Sequence, residues 1–381
     1  MSVNGTIEPR FARLREAFEE ELSTGNELGG AIAVDVDGDL VVDLWGGYRD
    51  ATKRLPWERD TIVNVWSTTK EVTALAVLLL VDRGLIDLDA PVAHYWPEFA
   101  ENGKDAVLVR HLMSHTSGVS GWDRPWEVED MYDWDKSIAQ LARQAPWWEP
   151  GTASGYHANN QGHLLGEVVR RVSGMPLKVF VAAEIAGPLG IDLQIGATEA
   201  DDHRIAEIVF KPTRPIDPDK VDMTSITMRT FTGPIADAGS ANTAAWRRAD
   251  MGALNGHTTA RALARALSVI SRGSVDGVSL SPNTIDRIFE EQASGVDLVL
   301  GAPLRWGIGY GLPEPATIPY LPTDERVCFW GGWGGSLTAM FPDRGVTISY
   351  VMNRMGRGVI GSDRSERYYR AILEGLESLN R

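Results

Sequence analysis

The chain has 381 residues, 43% hydrophobic and 23% charged, enough for one large soluble domain or two smaller ones. Acidic residues (52) outnumber basic ones (37) for a net charge of -15, which argues against a nucleic-acid or anionic-membrane partner, since either needs a basic patch. One cysteine, Cys328, excludes an intrachain disulfide, and no stretch has the continuous apolar length of a membrane span.

Met1-Ser2-Val3-Asn4-Gly5 has neither a basic start nor an apolar run of signal-peptide length, so the cytoplasm is the expected compartment. Ile7 to Leu22 carries Phe11, Leu14, Phe18 and Leu22 at helical spacing, an amphipathic surface helix. Gly30 to Val36 and Leu40 to Trp45 alternate as strands around Asp37-Gly38, a strong hairpin signal. Thr61 to Val65 is β-branched and extended. It runs into Trp66-Ser67-Thr68-Thr69-Lys70 and then an apolar run, Val72 to Val81, with almost no polar face: a helix buried on all sides, closed by Gly84 as a C′ residue.

From Asp89 to about Asp297 helical patterns alternate with Pro, Gly and Trp loops. His111 to Gly118 reads as a helix end running into a turn, and Gly162 to Arg171 as an amphipathic helix. Thr258 to Ser268 is another, with Thr258 or Thr259 as its N-cap. Lys211 to Asn242 holds six Pro or Gly residues and no period, so it is expected to cover or wall a site. Strand patterns return at Trp306 to Leu312, Arg326 to Trp330 (with Cys328 as a buried thiol), Ser336 to Phe341 and Val346 to Met352. A turn at Pro342 to Gly345 joins the last two, and Ser365 to Leu379 closes the chain as a helix. The expected class is therefore α+β. An antiparallel sheet built from both chain ends (1-88 and 298-381) is flanked by helices, a mainly helical region (89-297) is inserted between them, and the site lies at their interface.

Three stretches carry chemistry. In the first, Ser67 and Lys70 stand three apart at a helix start, on one face and one turn apart. Free N–H groups and the dipole favour a developing anion there, and a lysine with lowered pKa accepts a serine proton. Alone, the pair reads first as a helix cap and a solvated first-turn lysine, since S-x-x-K occurs by chance in many proteins. In the second, Tyr156 lies on the turn-rich loop Glu149 to Asn160; as a base it needs a cation such as Lys70 to stabilise its phenolate. In the third, Trp330-Gly331-Gly332-Trp333-Gly334-Gly335-Ser336, the glycines let a ligand lie against a strand edge. A backbone N–H there can pair with that of Ser67 as an oxyanion hole.

The order S-x-x-K, P-G-T-x-x-x-Y and then a glycine-rich strand resembles the serine β-lactamase and penicillin-binding-protein superfamily, over roughly residue 28 onward. It is most similar to the esterase branch, the family VIII carboxylesterases, and His111 to Gly118 is similar to that superfamily's S-H-x-S-G loop. The resemblance implies Ser67 as nucleophile, Lys70 as its helix partner and Tyr156 as proton shuttle. It also implies the N–H groups of Ser67 and Trp333 as oxyanion hole. The Tyr156 and Lys70 titrations are coupled. Penicillin-recognising members read Y-x-N and K-T-G, where this chain has Ala158 two places after Tyr156 and Trp330-Gly331-Gly332. Both departures remove polar handles. The expected substrate is thus a small uncharged acyl ester, bound along Trp330, Gly331, Gly332 and Trp333, with the two indoles as apolar wall.

No G-x-S-x-G occurs, which counts against a nucleophile-elbow hydrolase. His111 and His115 have metal-ligand spacing without the H-E-x-x-H glutamate, so no metal is expected, and no glycine loop calls for a cofactor. His157 is a weak candidate for a second base. Trp122, Trp126, Trp147 and Trp148 read first as packing residues and second as pocket lining. An amide hydrolase of the same superfamily, an acyltransferase and an idle binding module remain open beside the esterase.

Overall fold

Asp37 and Gly38 both take positive φ (51° and 97°), the mirror-image turn that suits a tight hairpin. That hairpin joins Gly29–Val36 to Asp39–Gly47. The computed structural model describes residues 3–211, 217 and 220–377. Strands from both chain ends form a nine-stranded sheet in the order Val3–Ile7, Asp39–Gly47, Gly29–Val36, Val346–Met352, Leu337–Phe341, Cys328–Gly331, Gly311–Leu312, Pro303–Trp306, Ala293–Val296. Each neighbouring pair is antiparallel.

The sheet is covered on both faces, and the strands sort their residues with period two. Ile32 and Val34 join Val42, Leu44, Ile348 and Tyr350 in a core closed by the terminal helices Ala12–Thr24 and Asp363–Glu377. The small alternates Ala31 and Ala33 face the other way, into the larger core that holds the helix Ala260–Arg272. The serine helix, Thr69–Asp82, runs through this second core. Every residue from Thr69 to Leu80 is buried, as a run without a polar face requires, and Gly84 takes φ 69° just past its end. Thr259 caps the Ala260–Arg272 helix, its hydroxyl accepting from Ala262 N–H at 3.2 Å.

Several boundaries differ from the sequence expectation. Val3–Ile7 adds an edge strand whose middle residues are exposed; its pairing with Asp39–Gly47 makes it a strand, not its own pattern. Trp306 to Leu312 is two strands, because Gly309 (φ 86°) turns the chain between Gly307 and Tyr310. Two elements inside the region expected as an inserted helical unit belong to the sheet layer. Ala293–Val296 is the sheet's edge, and Ala260–Arg272 packs on its face. An amphipathic helix has the same pattern against a sheet as against another helix, so that boundary was not legible. The loop from Lys211 to Asn242 contains the helix Ile226–Phe231; its stretches 212–216 and 218–219 lie outside the described residues, as does Leu379 of the closing helix. No single helix among the described residues is long and apolar enough to cross a membrane.

Candidate active site

Val63–Asn64 pairs with Gly256–Thr258, and the extended chain then turns sharply into the serine helix. The turn is made by Trp66, a non-glycine residue at φ 51°, a strained conformation that persists only when its surroundings hold it. They do: the buried Trp66 ring is wedged between Trp246 (5.4 Å) and Trp333 (5.1 Å). Thr68 provides a second tie. Ser336 donates its one hydroxyl proton to Val65 O (3.0 Å), so it accepts from Thr68 Oγ1 (3.0 Å). The strand edge therefore comes so close that a Cβ on Gly332 would lie 2.2 Å from Val65 O, a contact only glycine permits.

The serine side chain does not cap the helix. Lys70 Nζ lies 3.0 Å from Ser67 Oγ, 2.8 Å from Ala158 O and 3.0 Å from Ala253 O. Burial pushes the Lys70 pKa well below its ordinary value, and among the described residues no carboxylate is within bonding distance to oppose this. The adjacent Glu71 is turned to the sheet, where Thr338 donates to it, and burial pushes its carboxyl well up toward the neutral acid. An uncharged Lys70 has two N–H groups and one lone pair. The two carbonyls take the N–H groups, which leaves the lone pair for the Ser67 proton.

Tyr156 completes the group. Its phenol faces Ser67 and accepts from the Trp330 indole N–H at 3.1 Å, while its ring lies 4.9 Å from Lys70 Nζ. Burial raises its pKa above the usual phenol value, so the resting residue keeps its proton. Its backbone is held on both sides. Tyr156 N–H donates to Asp297 Oδ1 (3.0 Å), His157 N–H to His115 Nδ1 (3.0 Å) and Gly155 N–H to His115 O (2.9 Å). His115 and Trp306 pack on the phenol ring at 4.9 and 6.1 Å. Opposite lies the glycine-rich loop. Its Gly332, Gly334 and Gly335 N–H groups donate to Ser336 O, Gly358 O and Gly332 O. Those of Trp333 and Ser67 have no acceptor among the described residues.

A sequence model of the family described as Beta-lactamase matches residues 14–371. The chain belongs to the beta-lactamase family. It is 35% identical over 378 residues to the Esterase/beta-lactamase LipL of Mycobacterium tuberculosis, covering 95% of this chain and 85% of that one. A family VIII carboxylesterase structure aligns with a TM-score of 0.91 and 36% identity over 98% of this chain and all of that one. A penicillin-binding-protein homolog from Caulobacter crescentus aligns at 0.89 with 38% identity over the same shares. The resemblance read from the motifs holds, and so does the expected fold class.

This member of the beta-lactamase family brings Ser67, Lys70, Tyr156, Trp330 and the loop Gly331 to Trp333 together, as their motifs suggested. Trp330 departs from expectation. It is 2% exposed, packed on Trp306 (4.4 Å), with its N–H committed to Tyr156, so it acts on the phenol and is not open wall. Lys70 lies 4.9 Å from the Tyr156 ring, but burial pushes its pKa well below the ordinary value and so disfavours the charged form that a phenolate's cation needs. His157 is no second base. Its Nδ1–H donates to Gly155 O (2.7 Å), its Nε2 accepts from Ser117 (2.6 Å), and burial holds its pKa at about 3. His111 Nδ1 accepts from Leu108 N–H and the His115 ring packs on Tyr156, so the spaced histidines brace the fold. Trp122 and Trp126 stack at 5.5 Å in the core, Arg229 covers Trp147 at 4.1 Å, and Trp148 caps Ala153 O on the Tyr156 loop: packing roles in each case. Ile226 and Phe231, from the long loop, pack against the sheet core whose members include Tyr156 and Trp330. Sequence reasoning missed Asp297, 141 residues from the N–H it holds, and the Thr68–Ser336 tie. His115 carried the one available signal, since it stands in the S-H-x-S-G-like stretch.

Proposed function

We propose that this protein hydrolyses small, uncharged carboxylic esters through an acyl-enzyme on Ser67. The observation that carries the reading is the state of Lys70: buried, bonded to two carbonyl oxygens and denied a carboxylate, with its remaining valence on the Ser67 hydroxyl. The uncharged amine takes the Ser67 proton as Oγ attacks the ester carbonyl. The carbonyl oxygen, now an anion, is received by the unclaimed N–H groups of Ser67 and Trp333. As the intermediate collapses, Tyr156 gives its proton to the leaving alcohol oxygen, and the Lys70 ammonium replaces it. Lys70 and Tyr156 then form one proton reservoir whose net charge is unchanged. Deacylation repeats the sequence with water in place of serine.

The preference for uncharged esters follows from what surrounds the serine. Burial disfavours the Lys70 charge that a substrate carboxylate would use, and Trp330 offers its single N–H to Tyr156. Relatives described as esterase and as family VIII carboxylesterase support the same reading. The test is hydrolysis of p-nitrophenyl esters, acetyl through octanoyl, by wild type and Ser67→Ala, with a chromogenic cephalosporin alongside. Turnover of short esters that vanishes in Ser67→Ala, with little cephalosporin cleavage, is expected. Turnover surviving in Ser67→Ala would overturn the nucleophile, and cephalosporin turnover above that of the esters would make the protein an amide hydrolase.

A further inference from the structure

A second cleft lies behind the glycine-rich loop. It encloses about 520 Å³ and contains none of Ser67, Lys70 and Tyr156. Its lining includes Lys211, Arg354, Arg357 and Arg364, with Phe210 and Met355 as apolar wall. A concentration of cations is unexpected on a chain of net charge -15, where most arginines find an acid. Here three do not. Among the described residues no carboxylate pairs with Lys211, Arg354 or Arg357, and Arg357 makes no hydrogen bond at all. Arg354 donates from Nη1 to Gly25 O (2.7 Å), while its buried Nε has no acceptor.

The cleft's own acids do not cancel this charge. Glu21 is held by Arg367 Nη1 at 2.7 Å. Arg364, which is 6% exposed, is held by Glu27 just outside the lining, at 2.6 Å. Asp363 alone remains against three cations. The cleft also offers neutral polar groups, Asn26 and Ser362. Its floor is rigid: Gly356 N–H donates to Gly334 O (2.7 Å) and Met355 N–H to Val209 O (2.9 Å).

We propose that this cleft binds a small oxyanion ligand, a carboxylate or a phosphate, held by Arg354, Arg357 and Lys211 with any apolar portion against Phe210 and Met355. Unneutralised guanidinium groups lining one part-apolar cleft are suited to charge-assisted recognition of planar or tetrahedral oxyanions. The site stands apart from the proposed reaction, so its test does not depend on turnover.

The test is isothermal titration of the full chain with sodium phosphate and, separately, sodium succinate, at an ionic strength fixed with sodium chloride so that diffuse attraction stays constant. Saturable binding of at least one is expected; the tighter of the two identifies the phosphoryl or the carboxylate as the recognised group. Arg357→Gln changes an exposed, unpartnered residue and should fold normally. Loss of one charge-assisted hydrogen bond should weaken its binding by about tenfold or more. Arg354→Gln should weaken it similarly, with the melting temperature as a check on folding. Absence of saturable heat with either anion, or equal affinity in wild type and Arg357→Gln, would overturn the proposal.

Discussion

Lys70 and Arg364 are both buried cationic residues that hold active-site backbone, yet they are treated in opposite ways. Arg364 reaches Gly334 O, Arg354 O and Asn26 O, and it is given Glu27 as counter-charge at 2.6 Å. Lys70 is given only carbonyls and a hydroxyl, while the glutamate next to it in sequence faces away. A guanidinium does not lose its proton in a protein, so a paired arginine is a fixed strut. A buried ammonium without a partner does lose it, and the lysine becomes a reagent. Denial of a counter-charge, more than the presence of any particular group, separates the reactive side of the loop from the static side.

The sharpest way to break that comparison is to make Lys70 permanently charged. Lys70→Arg keeps a cation and discards the lone pair, so kcat on p-nitrophenyl acetate should fall by about a thousandfold or more, no better than Lys70→Ala. A Lys70→Arg enzyme clearly faster than Lys70→Ala, at equal melting temperature, would mean that the site uses charge and not basicity. Tyr156→Phe comes next. It removes the proton relay but no core volume, and should cost about a hundredfold or more in kcat with the fold intact.

The same comparison sets the pH dependence. Activity needs uncharged Lys70, whose pKa burial pushes well below 10.5, and protonated Tyr156, whose pKa burial raises above 10. The kcat/KM profile should therefore have a rising limb from the Lys70 unit and no falling limb up to pH 10. A falling limb near neutrality would invert the roles of the two residues. A smaller effect is expected at Trp330. Trp330→Phe keeps the aromatic packing and removes the N–H that faces the Tyr156 oxygen, a loss of about tenfold in kcat, the worth of one hydrogen bond. An unchanged rate would return Trp330 to the plain wall its motif suggested.

How much of this was legible in the sequence depends on the range of the interaction involved. The serine helix was legible because an apolar run without a polar face fits only a buried helix, and the hairpin because Asp37-Gly38 tolerates two positive φ values. Ser67, Lys70 and Tyr156 were legible as motifs. Their protonation was not, because it is set by Ala158 O, Ala253 O and the depth of burial, none of which is local to Lys70. Reading Lys70 as the cation for a phenolate followed from the ordinary charge of a lysine; burial disfavours that charged form. The tethering roles of Asp297 and Ser336 were invisible for the same reason: each holds the site through partners more than a hundred residues away. The strand Val3–Ile7 and the sheet-facing position of Ala260–Arg272 are tertiary outcomes that no local pattern encodes.

The static side of the comparison has its own signature. Even with Arg364 beside it, burial lifts the Glu27 pKa from 4.5 to about 7, against the lowering effects of Arg364 and of the Tyr350 hydroxyl that donates to it. Between those pH values the folded protein keeps a proton that the unfolded chain has lost. Stability from this group is therefore complete below pH 4.5 and declines as pH rises toward 7, by on the order of 3 kcal/mol for the full shift. Glu27→Gln cannot titrate and keeps an oxygen for Arg364 Nη1. Urea unfolding of the two proteins from pH 5 to 8 should show the wild type losing stability relative to Glu27→Gln as pH rises, while contributions from all other groups cancel in the difference. Parallel curves would mean that Arg364 compensates Glu27 fully. Counter-charge would then remove the cost of burial altogether, and the contrast with Lys70 would be complete.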